Sequence, residues 1–235
     1  MRAKIIEKEE IAKGTLLAKF NLLGKEVIFR PGQFFFITLI NYFYNDEKGS
    51  QRHFSIVNSP NEKGLITMAT RLRESAFKKS LFEAPLGAEV EIGDIAGDFI
   101  LPDNKFQPIV FIAGGIGITP YISMLRYIQE EKIDYQITLI YSNRDTESTA
   151  FLEELKKIPE NNQKFKLILT MTDDLNWSGE KRIINGQFIK EYTAEPEACF
   201  YMVSGPPRMV EAVYNALIEI GIEKKNIKTE DFSGY

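Results

Sequence analysis

The sequence predicts two domains of different class. An antiparallel β domain, a sandwich or a barrel, spans residues 1–103, and an α/β domain with a parallel sheet spans residues 104–235. Three observations carry this. Short apolar or alternating runs recur between glycine and proline breakers as far as Leu101. Beyond Pro102 the pattern changes to strand–helix alternation. The apolar run Ile109-Val110-Phe111-Ile112-Ala113 feeds straight into Gly114-Gly115-Ile116-Gly117-Ile118-Thr119-Pro120 and then into a helical pattern.

In the first domain, strands are expected around Lys4–Glu7, Leu16–Phe20, Phe34–Leu39, Phe54–Val57, Leu65–Thr70 and Glu89–Ile92. Gly14, Gly24, Pro31-Gly32, Pro60, Gly64 and Pro85 separate them. One helix is expected over Ala76–Glu83, with Ser75 as its N-cap. The polar, proline-bearing stretch Pro102-Asp103-Asn104-Lys105 marks the boundary. In the second domain, strands are expected at Ile109–Ala113, Ile137–Tyr141, Phe165–Thr170 and Phe200–Val203. Helices are expected near Pro120–Glu131, Ala150–Lys157, Asn185–Tyr192 and Pro207–Ile220, on both faces of the sheet.

Composition narrows the function. The chain has 235 residues, 44% of them hydrophobic, and a net charge of −4, which disfavours general nucleic-acid binding. No apolar run is long enough to span a bilayer, and the N-terminus lacks a signal-peptide core, so a cytoplasmic location is expected. The single cysteine, Cys199, excludes an internal disulfide and a cysteine-ligated iron–sulfur cluster within this chain. His53 is the only histidine, and no metal site is expected. Redox chemistry on this chain therefore needs an organic cofactor.

Four strand ends in the second domain carry small or polar residues, where ligands of parallel sheets bind. The glycine run lets backbone approach a pyrophosphate, and the following helix start offers free N–H groups and a partial positive charge. Ser142 and Arg144 suit a ribose 2′-phosphate, while nearby Asp145 keeps the 2′-hydroxyl of NAD open. The last strand ends in Ser204-Gly205-Pro206-Pro207. In the first domain, Arg52-His53-Phe54-Ser55 joins an arginine, an aromatic ring and a hydroxyl on one strand. Alternation places Arg52 and Phe54 on one face and His53 and Ser55 on the other. Downstream, Thr70-Arg71-Leu72-Arg73-Glu74-Ser75-Ala76-Phe77-Lys78 forms a strand end, a basic turn and a helix start, a second phosphate site on the same physics.

Together these segments resemble the ferredoxin–NADP reductase superfamily over nearly the whole chain. Arg52-His53-Phe54-Ser55 is similar to its flavin motif, and Ser75-Ala76-Phe77-Lys78 stands where its helix start meets the flavin pyrophosphate. Gly114 to Pro120 is very like its nicotinamide-nucleotide motif. Ser204-Gly205-Pro206-Pro207 resembles its Gly-Pro-Pro turn, and Glu230-Asp231-Phe232 its acidic–aromatic ending.

The resemblance implies an antiparallel flavin-binding barrel followed by a Rossmann-like NAD(P)-binding domain, with FAD and NADP(H) or NAD(H) as cofactors. It implies that Arg52 contacts the flavin phosphate, Phe54 lies against the flavin ring and Ser55 hydrogen-bonds near N5. Phe232 or Tyr235 then covers the opposite ring face. Thr119 and Ser204 line the nicotinamide site, and Glu230 relays a proton or positions the ring. Gly114, Gly115, Gly117, Ile118, Pro120, Gly205 and Pro206 complete the nucleotide site. The implied activity is hydride transfer from NAD(P)H to flavin, with electrons passed to a separate acceptor such as ferredoxin or flavodoxin. Arg71, Arg73, Lys78, Lys79 and Lys105 are candidate basic contacts for an acidic carrier. Two other readings stand beside this one: an NAD(P)H:flavin reductase that releases reduced flavin, and a non-catalytic nucleotide-binding scaffold.

Overall fold

The computed structural model describes residues 1–40, 43, 44 and 46–232, the side chain of Asn161 excepted. Two sheets organise them. The first contains β1 (Arg2–Ala12), β2 (Thr15–Asn21), β3 (Phe34–Leu39), β4 (Gln51–Ser55), β5 (Leu65–Arg71) and β6 (Glu89–Ala96). Their order is β4-β3-β6-β1-β2-β5, with every pairing antiparallel. Among the described residues no ladder joins β4 to β5, so the antiparallel sheet is not hydrogen-bonded into a closed barrel. The strand expected at Phe54–Val57 lies earlier, at Gln51–Ser55. Ile56 and Val57 leave the ladder to donate their N–H groups to the Gln33 and Thr67 carbonyls.

Helix α1 (Ala76–Glu83) follows β5 and begins as the local sequence dictates. Ser75 has an extended backbone, and its hydroxyl accepts the Lys78 N–H at 3.4 Å. Phe77 and Leu81, four residues apart, are buried with Phe20, Phe35, Ile66 and Met68 in the core of this sheet. At the other end of α1, the Lys8 ammonium on β1 donates to the Leu81, Phe82 and Ala84 carbonyls. A cation there satisfies carbonyls that the helix leaves open and complements its dipole.

The second sheet is parallel. It contains β7 (Ile109–Gly114), β8 (Ile137–Asn143), β9 (Phe165–Met171), β10 (Phe200–Gly205) and β11 (Ile227–Asp231), ordered β11-β10-β7-β8-β9. The central strand β7 is buried at every residue, as a strand covered on both faces must be. Helices α3 (Leu152–Asn161), α4 (Gly186–Tyr192) and α5 (Pro207–Glu219) alternate with these strands. Val110, Ile112, Ile140 and Val203 form a core with Phe188, Val210 and Leu217 of α4 and α5. Tyr141 lies on the opposite face of β8, its hydroxyl donating to the Ala150 carbonyl just before α3. The edge strand β11 is not evident in sequence, because Lys228, Thr229, Glu230 and Asp231 give it no apolar alternation.

The chain divides into two units: residues Met1–Leu101 with Thr119–Glu131, and Pro102–Ile118 with Lys132–Tyr235. The helix that follows the glycine run, α2 (Thr119–Glu130), thus groups with the antiparallel sheet. Within that unit the Ser123 hydroxyl donates to the Asn58 carbonyl at 2.7 Å, and Tyr121 packs edge-on to Phe99 at 5.7 Å. Gly32, at φ 97°, leaves room for Met124; a Cβ there would lie 2.3 Å from the Met124 Cε. No helix among the described residues is long and apolar enough to cross a membrane.

Lys8→Met should lower stability by about 1–2 kcal/mol, because it strips the α1 C-terminus of its charged donor. Thermal unfolding followed by circular dichroism measures this; an unchanged midpoint would contradict the capping role.

Candidate functional site

In the first unit, the β3–β4 register pairs Phe36 with His53, Ile37 with Arg52, Phe35 with Phe54 and Phe34 with Ser55. The expected alternation holds. The Arg52 guanidinium lies 5.4 Å from the Phe77 ring centroid, and Phe54 packs on the same ring at 5.8 Å. On the opposite face, His53 sits between Phe34 at 5.2 Å and Phe36 at 5.9 Å. The Ser55 hydroxyl is buried without a hydrogen-bond partner, which is costly unless a ligand supplies one.

Cations gather around the start of α1. Nη1 of Arg52 donates to the Lys48, Gly49 and Gln51 carbonyls, and Nη2 donates to both oxygens of Asp46 at 3.0 and 3.2 Å. Burial, helped by the charges of Arg73 and Arg52, lowers the Lys78 ammonium to about 8. Burial would raise the Asp46 carboxyl. Its hydrogen bond and charge interaction with Arg52, and the Lys48 and Ala76 N–H groups, outweigh that and hold it below the ordinary carboxylate value. A groove of about 840 Å³ opens here, lined by Tyr44, Leu72, Arg73, Ser75, Ala76 and Lys79 among others, a volume suited to a cofactor. Thr70 is buried at the end of β5, and Arg71 donates to the Lys13 carbonyl at 3.0 Å. Asp46 has no counterpart in the sequence motifs; only its position beside Arg52 in space reveals it.

In the second unit, β7 ends at Gly114, and Gly115–Ile118 form a single 3₁₀ turn. Gly115 has φ 54° and open space where a Cβ would stand. Gly117 is packed instead: its Cβ would lie 2.4 Å from the Ser204 carbonyl oxygen and 2.6 Å from the Gly205 Cα. A Cβ on Gly114 would likewise lie 2.1 Å from Met209 Sδ and 3.1 Å from Pro206 Cδ. The parallel register sets Ser204 beside both Ala113 and Glu230, and the Phe232 N–H donates to the Gly205 carbonyl at 3.0 Å. The Ser204 hydroxyl is fully buried without a partner. Tyr235 lies outside the described residues.

At the end of β8, Ser142 is half-buried and Arg144 is exposed. The Asp145 carboxylate accepts the Ser148 N–H at 2.7 Å, so one of its oxygens is committed to the local turn. Asn143 is 5% exposed, with neither side-chain polar atom hydrogen-bonded. The sequence gives it no signal of its own between Ser142 and Arg144, the two candidate phosphate contacts, and only burial shows it demanding a partner. Thr119 and Pro120 open α2 and belong to the first unit. Among the described residues, no cluster of histidine, cysteine and carboxylate side chains could hold a metal. The orphaned Ser55 hydroxyl, Arg52, Lys78 and the groove at the start of α1, lined by Arg73 and Lys79 as well as Asp46 and Glu74, fit a flavin nucleotide. The orphaned Ser204 and Asn143 and the open Gly115 turn fit a nicotinamide dinucleotide.

Comparison with known proteins places a nucleotide-binding family on the second half of the chain. Residues 111–215 match the oxidoreductase NAD-binding domain family. The F component of the Na(+)-translocating NADH-quinone reductase of Methylococcus capsulatus is 30% identical over 202 residues, 78% of this chain and 49% of that protein. Flavohemoprotein A of Dictyostelium discoideum is 27% identical over 215 residues, 86% of this chain and 52% of that protein. The chain thus spans about half the length of these curated relatives. In fold it is similar to the FAD/NAD-binding domain of Vibrio cholerae nitric oxide dioxygenase (TM-score 0.85, 18% identity, 98% of each chain). It is also similar to a Neisseria gonorrhoeae ferredoxin NADP+ reductase solved with FAD and NADP (TM-score 0.81, 20% identity, 98% of each chain).

Gly117→Ala should cost about 1–3 kcal/mol, since the new methyl must push apart the turn and the end of β10. A thermal melt that matches the parent protein would refute the close packing.

Proposed function

Since the chain has the ferredoxin–NADP reductase fold and carries an oxidoreductase NAD-binding domain at residues 111–215, we propose that it is an FAD-dependent NAD(P)H oxidoreductase passing electrons to a separate acceptor. One observation carries the reading. Each unit holds a buried, partnerless serine hydroxyl, Ser55 and Ser204, within the segment that resembles a cofactor motif. NAD(P)H would supply a hydride and FAD would accept it and release electrons singly or in pairs, which is the chemistry the protein itself lacks.

The residues would do the holding. Arg52, Thr70, Arg71 and the α1 start at Ser75, Ala76, Phe77 and Lys78 would take the flavin phosphates. Phe54 would pack against the ring with Ser55, at the end of β4, as hydrogen-bond partner, while His53 would meet the cofactor only from the opposite face of β4, where it packs on Phe34 and Phe36. Phe232 would cover the flavin. Gly114, Gly115, Gly117 and Ile118 would accept the nicotinamide dinucleotide's pyrophosphate, with Gly205 and Pro206 behind them. Thr119, Pro120 and Ser204 would line its nicotinamide end, where Glu230 would position the ring or hold a proton. Ser142 and Arg144 would take a ribose 2′-phosphate, and the commitment of Asp145 to Ser148 favours NADPH over NADH. The acceptor we favour is a small acidic electron carrier such as ferredoxin or flavodoxin, drawn to Arg73 and Lys79, both exposed.

Anaerobic stopped-flow reduction tests the proposal. The purified protein should carry FAD, NADPH should bleach the flavin absorbance, and NADH should do so more slowly. Bound flavin that NADPH leaves oxidised would favour a scaffold, and a colourless protein oxidising NADPH only with added flavin would favour the flavin reductase.

Lys78 makes the flavin site pH-dependent. An anion beside it favours the charged ammonium and raises it from about 8 in the free protein. Between the two values the complex holds a proton that the free protein lacks. FAD affinity should therefore be full below pH 8 and fall as pH rises above it, in titrations from about pH 6.5 to 9.5. Lys78→Gln should flatten the profile; an unaltered slope would remove Lys78 from the site.

A further inference from the structure

We infer that Asp46 is a resident anion of the flavin phosphate site, so that the cofactor's phosphates dock only as its carboxylate leaves Arg52 and the first turn of α1. The inference rests on the flavin reading above. It starts from the donors that Asp46 uses. Both of its oxygens accept from Nη2 of Arg52, at 3.0 and 3.2 Å, and it also accepts from the Ala76 N–H at the start of α1. A guanidinium and the free N–H groups of a helix start are the donors a phosphate seeks. A carboxylate and a phosphate cannot share them, because the donors are saturated and the two anions repel.

The surroundings let Asp46 be exchanged for another anion without moving Arg52. Nη1 of Arg52 is committed to the Lys48, Gly49 and Gln51 carbonyls, so Arg52 keeps its orientation when Nη2 changes partner. Gly49 at φ 66° turns the segment between Asp46 and Arg52, and the Lys48 N–H donates to the Asp46 carboxylate at 2.9 Å. Tyr44 is itself held on α1. Its N–H donates to the Ser80 hydroxyl at 3.0 Å, its own hydroxyl donates to Glu83 at 2.7 Å, and the Lys79 ammonium lies 3.9 Å from its ring centroid. Asp46 thus lines the groove with Tyr44, and the turn at Gly49 leads on to Arg52. Asp46 neutralises Arg52, whose charge with that of Arg73 bears on Lys78, and an incoming phosphate must displace it from Arg52 to bind.

The test is equilibrium titration of the full chain, stripped of flavin, with FAD and with riboflavin, read by quenching of flavin fluorescence. Asp46→Asn keeps the shape and the Lys48 contact but removes the charge. It should tighten FAD binding about fivefold, the scale of a partly exposed ion pair. Asp46→Ala should do the same. Riboflavin, which has no phosphate, should bind parent and variants alike. FAD affinity unchanged or weakened in both variants, or riboflavin tightened as much as FAD, would overturn the role of Asp46 and leave the flavin reading intact. A parent protein that binds neither flavin would instead refute the flavin reading itself.

Discussion

Gly117 comes so near the Ser204 carbonyl that only a hydrogen atom fits between them, and Gly114 meets Met209 and Pro206 in the same way. This closeness is what turns the ends of β7 and β10 into one surface. Because the turn is drawn onto the strand end, the Ser204 hydroxyl is sealed from solvent and left wanting a partner. Because the same turn bends away at Gly115 with positive φ, backbone remains open on its other side. One steric demand, absence of Cβ, thus produces both a buried hydroxyl and an accessible backbone rim. The parallel register extends the arrangement to β11, bringing Glu230 level with Ser204.

The first unit reaches a ligand site by a different route. Its determinant is charge rather than close backbone approach. Phe77 is buried under both Arg52 and Phe54, so a single core ring fixes the position of a cation and an aromatic surface together. Burial above all, with the nearby charges of Arg73 and Arg52, makes Lys78 give up its proton more readily than usual. The chain itself supplies one anion here, the Asp46 carboxylate paired with Arg52.

What the sequence made legible follows the range of the forces involved. Helix α1 was readable to the residue because its start depends on Ser75 and its buried face on Phe77 and Leu81, all local. Strands β7, β8 and β10 were readable because burial demands apolar runs, and edge strand β9 because it still keeps the run Leu167-Ile168-Leu169. The strand around Arg52 was misplaced by a few residues, since the partners of the Ile56 and Val57 N–H groups, Gln33 and Thr67, are distant in sequence. Strand β11 escaped because an edge position lets charged residues replace apolar ones. Among site residues, the glycine run and both serines stood out through their motifs. Asn143 and Asp46 did not, because what distinguishes them is burial and a charged neighbour, neither of which has a linear signature.

The grouping of α2 with the antiparallel sheet has a consequence for the modularity of the chain. The first unit is not a continuous length of polypeptide: it ends at Leu101 and resumes at Thr119. A gene fragment stopping at the proline-bearing boundary would encode the sheet without the helix that covers Phe99 and fills the space over Gly32. The polypeptide passes from one unit to the other in the middle of the glycine motif, between Ile118 and Thr119. The smallest transferable module is therefore the pair of units, and neither half can be exchanged by a single cut.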